Sequence, residues 1–109
     1  MKYEHLSGVP DFCATEYFPR RSDYALCIPI INEGDRIKRE LDRVQRAGID
    51  KIVDVIICDG GSTDGSTADD LLSAAGVNTL LVKIGAGKQG AQLRMGLWWA
   101  LQRGYRGVI

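Results

Sequence analysis

The stretch IICDGGSTDGST, residues 56–67, decides the fold, because an apolar run ends in an acid and gives way to glycines and small hydroxyl side chains. A continuous apolar run before such a loop is typical of a strand that is buried on both faces of a parallel sheet. Asp59 ends this strand, where its position is rigid. Glycines after it allow positive φ and let a ligand approach the backbone closely. The stretch therefore predicts a buried strand that leads into a binding loop.

Strand-like and helix-like patterns alternate on both sides of this loop. Apolar runs and helical repeats follow one another as strand, helix, strand, helix, strand, helix and strand, at residues 24–31, 35–47, 51–59, 66–75, 77–83, 89–103 and 105–109. This alternation predicts an α/β fold, with an open, mostly parallel sheet and flanking helices. In the last helix, the spacing of apolar residues predicts a packing face of Leu93, Leu97, Ala100 and Leu101.

The domain prediction follows from where the alternation starts. Residues 1–22 show no clear period, so we expect an irregular N-terminal arm there and an α/β domain over residues 23–109. The sequence stops on an apolar, strand-like run without a cap. We therefore expect a truncated domain, the N-terminal portion of a longer chain.

Composition argues against several functions. The chain has 14 basic and 14 acidic residues and a formal net charge of zero. A nucleic-acid partner is therefore not expected, since binding a phosphodiester backbone calls for a basic face. Three cysteines without metal-site spacing indicate a reducing compartment. We expect a protein of the cytoplasm or of the cytoplasmic face of a membrane, with any membrane association made through a part beyond residue 109.

Chemistry is expected at the carboxyl ends of the strands, where ligands bind in open α/β sheets. The loops that leave the first three strands place Asn32, Glu33, Asp59, Asp64 and Lys88 on one rim of the sheet. A carboxylate at the position of Asp59 can accept charge-assisted hydrogen bonds from N–H groups or ribose hydroxyls. The same acidic loop is also compatible with a purely structural turn that caps the next helix.

Residues 85–90, GAGKQG, have the G-x-G-x-x-G spacing of dinucleotide-binding loops. The loop follows the third strand of the alternation rather than the first, which weakens the match. An oxidoreductase domain that binds NAD or FAD stays open as an alternative function. So does a non-catalytic remnant that serves as an interaction module.

Three segments in this order resemble the start of family 2 glycosyltransferases, the group that includes dolichyl-phosphate mannose synthase. They are IPIINEGDRI at residues 28–37, VIICDGGSTDGS at 55–66 and GKQGAQLRMGLWWA at 87–100. The resemblance implies a GT-A type, Rossmann-like nucleotide-sugar-binding fold whose first strands lie in the order 3-2-1-4. It also implies a metal-dependent transferase that moves a sugar from a UDP- or GDP-sugar donor to the hydroxyl of an unknown acceptor.

The resemblance further implies which residues bind the nucleotide: Pro29, Ile30, Ile31, Glu33, Asp59, Gly61, Ser62, Lys88 and Arg94. The loop from Pro29 to Glu33 would wrap the nucleoside, and Lys88 and Arg94 would approach the phosphates. Asp59 matches the first acid of the family's Asp-Asp-Gly-Ser motif, which contacts the base, and Gly60 replaces the second acid. The ligands of Mg²⁺ or Mn²⁺ and the catalytic base are expected beyond residue 109, so these residues alone are expected to be inactive.

Overall fold

The structure, a computed structural model, describes the backbone of residues 2 and 3 and all of residues 9–84 and 89–109. These ranges form one sheet with helices on both faces. The elements are β1 Lys2–Tyr3, β2 Phe12–Glu16, β3 Tyr24–Ile30, α1 Asp35–Arg46, a 3-10 helix Ile49–Lys51, β4 Asp54–Asp59, α2 Asp69–Ala74, β5 Thr79–Lys83, α3 Gln89–Gln102 and β6 Gly107–Val108.

The sheet is mixed but mostly parallel, with the strand order β1-β2-β5-β4-β3-β6. Strands β5, β4, β3 and β6 run parallel to one another, and β2 and β1 add an antiparallel edge. The prediction of an α/β fold with a mostly parallel sheet is confirmed, and so is the order of its four parallel strands. That order reverses direction between β3 and β6, which makes the carboxyl end of β3 a topological switch point.

The two faces of the sheet are covered by different helices, because side chains alternate along each strand. One core cluster holds Cys27, Ile56 and Cys58 beneath α3. The other packs Ile37 and Leu41 of α1 and residues of α2 against the opposite face. Every residue of β4 is buried, since the strand has neighbours on both edges and helices over both faces.

The segment predicted as an irregular arm contains a regular strand. β2 pairs antiparallel with β5 over five residue pairs, from Phe12–Lys83 to Glu16–Thr79. Phe12 is fully buried, and its ring packs edge-on against both Trp98 and Trp99 of α3. The prediction is therefore wrong for residues 12–16, where one buried aromatic residue and a free sheet edge determine the strand.

The packing face of α3 also differs from the prediction. Leu93, Leu97 and Leu101 are exposed, and the face against the sheet consists of Ala91, Gln92, Met95, Gly96, Trp99 and Ala100. Leucines on the solvent side gave the helix apolar residues all round, so periodicity alone could not identify its buried face. Small residues on the true face let α3 approach the sheet closely.

Two further observations concern the helices. Helix α2 starts at Asp69, so residues 66–68 belong to the preceding loop rather than to the helix as predicted. Among the described residues, no helix has both the length and the apolar composition that a bilayer-spanning segment requires.

Candidate functional site

Two adjoining cavities open at the carboxyl end of β3. The first, about 290 Å³, is lined by Ile28, Pro29, Ile30, Glu33, Arg36, Ile37, Glu40 and Gln89. The second, about 360 Å³, is lined by Pro29, Ile30, Ile31, Glu33, Gly60, Lys83, Gln89 and Gln92. The second volume lies at the lower end of the range of small-molecule sites, about 300–1,000 Å³, and the first lies just below that range. The shared lining makes one cleft, which we call the β3 cleft and define by these two sets of residues.

The β3 cleft lies beside the part of β3 that follows its pairing with β6. The two strands pair at Tyr24 and Ala25, and Ile109 bonds the backbone of Ala25 and Cys27. Beyond that point the first cavity borders the edge of β3 from Ile28 onward. The cleft therefore lies at the switch point of the sheet, where open α/β folds bind their ligands.

Four of the predicted nucleotide-binding residues meet at this cleft: Pro29, Ile30, Ile31 and Glu33. Ile31 is 54% exposed and offers an apolar surface at the cleft. Glu33 borders both cavities, and one of its carboxylate oxygens lies 3.7 Å from an Arg36 guanidinium nitrogen. This end of the cleft thus combines an apolar wall with a carboxylate.

Asp59, by contrast, borders neither cavity. It is 1% exposed, and its carboxylate accepts hydrogen bonds from the backbone N–H of Ser62 at 3.0 Å and from the Ser62 hydroxyl at 2.5 Å. The Ser62 hydroxyl in turn accepts a hydrogen bond from the backbone N–H of Asn32 at 2.9 Å. Asp59 therefore fixes the loop after β4 and, through Ser62, the loop after β3.

Two more hydrogen bonds join the same pair of loops. The Asn32 side-chain oxygen accepts from the backbone N–H of Thr63 at 2.8 Å, and a carboxylate oxygen of Asp64 accepts from that of Gly34 at 3.0 Å. Asn32 has a φ of 46°, a left-handed conformation that asparagine tolerates better than most residues. The loop that carries Glu33 is thus held from several sides before any ligand arrives.

Asp64 is the exposed acid of this arrangement. The Ser66 hydroxyl, the backbone N–H of Ser66 and that of Gly34 all favour its ionised form and hold the pKa of Asp64 below its ordinary value. A depressed pKa means that the carboxylate stabilises the loops above its ordinary range and loses this contribution as pH falls through the lowered value. At neutral pH the clamp between the loops is therefore charged and complete.

Ser62→Ala is expected to destabilise the protein by about 1 kcal/mol, because it removes a hydroxyl donor from a buried carboxylate and an acceptor from the Asn32 N–H. Urea unfolding followed by circular dichroism measures the loss. Ser73→Ala is the matched control, since the Ser73 hydroxyl makes one exposed bond of 3.4 Å within α2. Equal unfolding midpoints for both variants would contradict the role of Ser62 in joining the loop after β3 to the loop after β4.

The remaining predicted residues divide into three groups. Gly61 and Ser62 lie in the loop next to the cleft and shape it without lining it. Arg94 is exposed on α3, also outside the lining. Lys88, like Gly85 and Gly87 of the dinucleotide-type spacing, lies outside the described residues, so its phosphate role stays a prediction. The structure thus joins the loop after β3 to the glycine loop after β4, with Gly60 at the contact.

Sequence reasoning missed the polar residues that line the cleft from other elements: Arg36, Glu40, Lys83, Gln89 and Gln92. Lys83 is the last residue of β5 and could have been found, because the end of β5 shares the rim with the ends of β3 and β4. The sequence also offered an indication of Gln92, because a polar residue between apolar neighbours on a helix can be buried and hydrogen-bonded. It is 5% exposed, and its Nε2 donates to the carbonyls of Ile30 at 2.8 Å and Cys58 at 2.9 Å.

No metal site can be assembled from the residues that the structure describes, since none of their His, Cys, Asp and Glu side chains form a group of three or more that could hold an ion. The carboxylates of Asp59 and Asp64 accept hydrogen bonds from backbone N–H groups and from the Ser62 hydroxyl. The ligands of Mg²⁺ or Mn²⁺ were expected beyond residue 109, so the metal stays a prediction, and no chemical step is derived through it.

Comparison of the chain with family models, with curated proteins and with solved structures found no significant match.

Proposed function

We propose that the β3 cleft binds the nucleoside diphosphate part of a UDP- or GDP-sugar and that the protein is a glycosyltransferase that passes the sugar to an acceptor hydroxyl. The observation that carries this proposal is the convergence of Pro29, Ile30, Ile31 and Glu33 on a cleft at the switch point of the sheet. The family resemblance predicted the nucleoside loop at these residues. The strand order β5-β4-β3-β6 also supports a GT-A type, Rossmann-like fold.

The lining suggests how such a ligand would lie. Ile31 and Pro29 would contact the apolar faces of base and ribose, and the Glu33 carboxylate would accept hydrogen bonds from ribose hydroxyls. Lys83 borders the second cavity and Gln89, the first residue of α3, borders both. A lysine and a helix N-terminus both favour a diphosphate at that side of the cleft.

Asp59 has a positioning role in this proposal rather than a direct contact with the base. Its carboxylate holds Ser62, and Ser62 holds the N–H of Asn32 beside Glu33. A contact with the base would require the carboxylate to give up these bonds. Preorganising the loop instead lowers the entropy that ligand binding must overcome.

Isothermal titration of the protein with UDP and with GDP, in the presence of Mn²⁺, tests the proposal. Glu33→Gln is expected to weaken binding about tenfold, since it replaces a charged acceptor with a neutral one. Asp42→Asn is the control, because Asp42 pairs with Arg46 on the exposed side of α1, away from the cleft. Failure of the wild-type protein to bind either nucleotide would refute the nucleotide site.

A further inference from the structure

The amide of Gln92 occupies the space that a side chain at position 60 would need. A β-carbon built on Gly60 would lie 3.1 Å from Cδ and Oε1 of Gln92 and 3.3 Å from its Nε2. These distances are shorter than ordinary van der Waals contact, and Gln92 is too buried to move aside freely. A side chain at position 60 would therefore require the Gln92 amide to shift by a few tenths of an ångström.

Hydrogen bonding fixes the orientation of this amide. Nε2 has two N–H groups, and they point to the carbonyl of Ile30 at the end of β3 and the carbonyl of Cys58 near the end of β4. Turning the amide over would place Oε1 against two carbonyl oxygens. What Gln92 can offer a ligand in the second cavity is therefore Oε1, a hydrogen-bond acceptor.

We infer that Gln92 selects the base of the nucleotide, with Oε1 accepting the ring N–H of a keto base such as uracil or guanine. The inference rests on the proposed function and extends it to base recognition. Uracil and guanine carry a hydrogen on the ring nitrogen next to their carbonyl group. Cytosine and adenine carry a lone pair on the corresponding nitrogen, which would face Oε1 and be repelled.

Gly60 contributes to the same recognition of the base. Gly60 has no side chain, and the Gln92 amide of α3 lies against the space where a β-carbon would stand. The two hydrogen bonds to the carbonyls of Ile30 and Cys58 fix the direction of Oε1, so this acceptor discriminates by direction. The pair Gly60 and Gln92 therefore acts as one specificity-determining unit.

The test compares matched nucleotides by isothermal titration: UDP against CDP, and GDP against ADP. Wild type is expected to bind the keto member of at least one pair about tenfold more tightly, since the amino member leaves Oε1 without a hydrogen-bond donor. Gln92→Met, similar in length and without polar atoms, should bring each ratio to within about twofold. Gln102→Met, at an exposed position of the same helix, should leave the ratios unchanged.

The ratio separates base selection from a merely structural effect, because a loosened cleft weakens both members of a pair equally. Unchanged ratios in Gln92→Met, or equal wild-type affinities within both pairs, would overturn the inference and leave the nucleotide site standing. If none of the four nucleotides binds, the proposed function and this inference both fall.

A second measurement needs no nucleotide and does not require Gln92→Met to fold well. Gly60→Ala should destabilise the protein by pushing against the amide, and the double variant with Gln92→Ala should be less unstable than the sum of the two single variants. Additive effects would contradict the close contact between position 60 and the Gln92 amide on which the inference rests.

Discussion

Gly96→Ala is expected to destabilise the protein by about 2 kcal/mol, although alanine is the better helix former. A β-carbon at position 96 would lie 2.6 Å from the Cys58 sulfur and 3.1 Å from the Cys27 sulfur. The hydrogen bond with Cys27, together with burial, raises the pKa of the Cys58 thiol, so a neutral thiol fills this contact. α3 would have to lift from the sheet to admit one methyl group.

The control for this prediction is Gly90→Ala in the same helix. There the new β-carbon would lie 3.3 Å from a terminal nitrogen of the exposed Arg94 side chain, which can move. Because alanine is the better helix former, Gly90→Ala should be neutral or stabilising by up to about 1 kcal/mol. Thermal and urea unfolding of both variants give the comparison, and equal stabilities would contradict the close approach of α3.

A double-mutant cycle shows whether the sulfur atom is the obstacle. Cys58→Ala removes it, and Gly96→Ala should then cost less by about 1 kcal/mol than it does in wild type. If the cost is unchanged, the destabilisation has another source than contact with Cys58. Displacement of α3 would also shift Gln92, so nucleotide affinity of Gly96→Ala should fall along with stability.

Sequence patterns predicted the parts of the fold that local chemistry determines. β4 could be predicted because its apolar run ends abruptly at Asp59. The end of α1 could be predicted because glycine favours the left-handed conformation, and Gly48 does have a φ of 71°. Strand geometry predicted Glu33 at the rim, since parallel strands bring their carboxyl ends to one edge, and the family resemblance added Pro29, Ile30 and Ile31.

Other features depended on partners distant in sequence. β2 forms because Phe12 packs against Trp98 and Trp99, and the local sequence of residues 12–16 does not predict that contact. The buried face of α3 is set by the sheet beneath it, where the sulfur atoms of Cys27 and Cys58 leave room only for a glycine. Asp59 was expected to contact a ligand. Its hydrogen bonds with Ser62 depend on the loop geometry and could not be predicted from the sequence.

The amino end of the sheet is held by a second buried carboxylate, that of Asp54. Its Oδ2 accepts hydrogen bonds from the Tyr105 hydroxyl at 2.6 Å and from the backbone N–H of Arg21 at 2.8 Å. These bonds join β4 to the segment that leads into β3 and to the turn before β6. Oδ1 is buried without a hydrogen-bond partner among the described residues. The carboxylate of Asp54 is therefore stabilised only by the hydrogen bonds to Oδ2.

Tyr105→Phe is therefore expected to destabilise the protein by about 2 kcal/mol, because it leaves a buried carboxylate short of its shortest hydrogen bond. Tyr24→Phe makes the same chemical change at a residue that is 46% exposed and should have little effect.

Burial and the hydrogen bond to Asp54 raise the pKa of Tyr105 above its ordinary value. This contribution is complete below about pH 10, the ordinary value, and is lost as pH rises toward the raised one. Tyr17 carries a similar shift through Asp69, so the difference between wild type and Tyr105→Phe isolates Tyr105. That difference should shrink in urea unfolding above pH 10, and a constant difference would show that the hydroxyl bond is not its source.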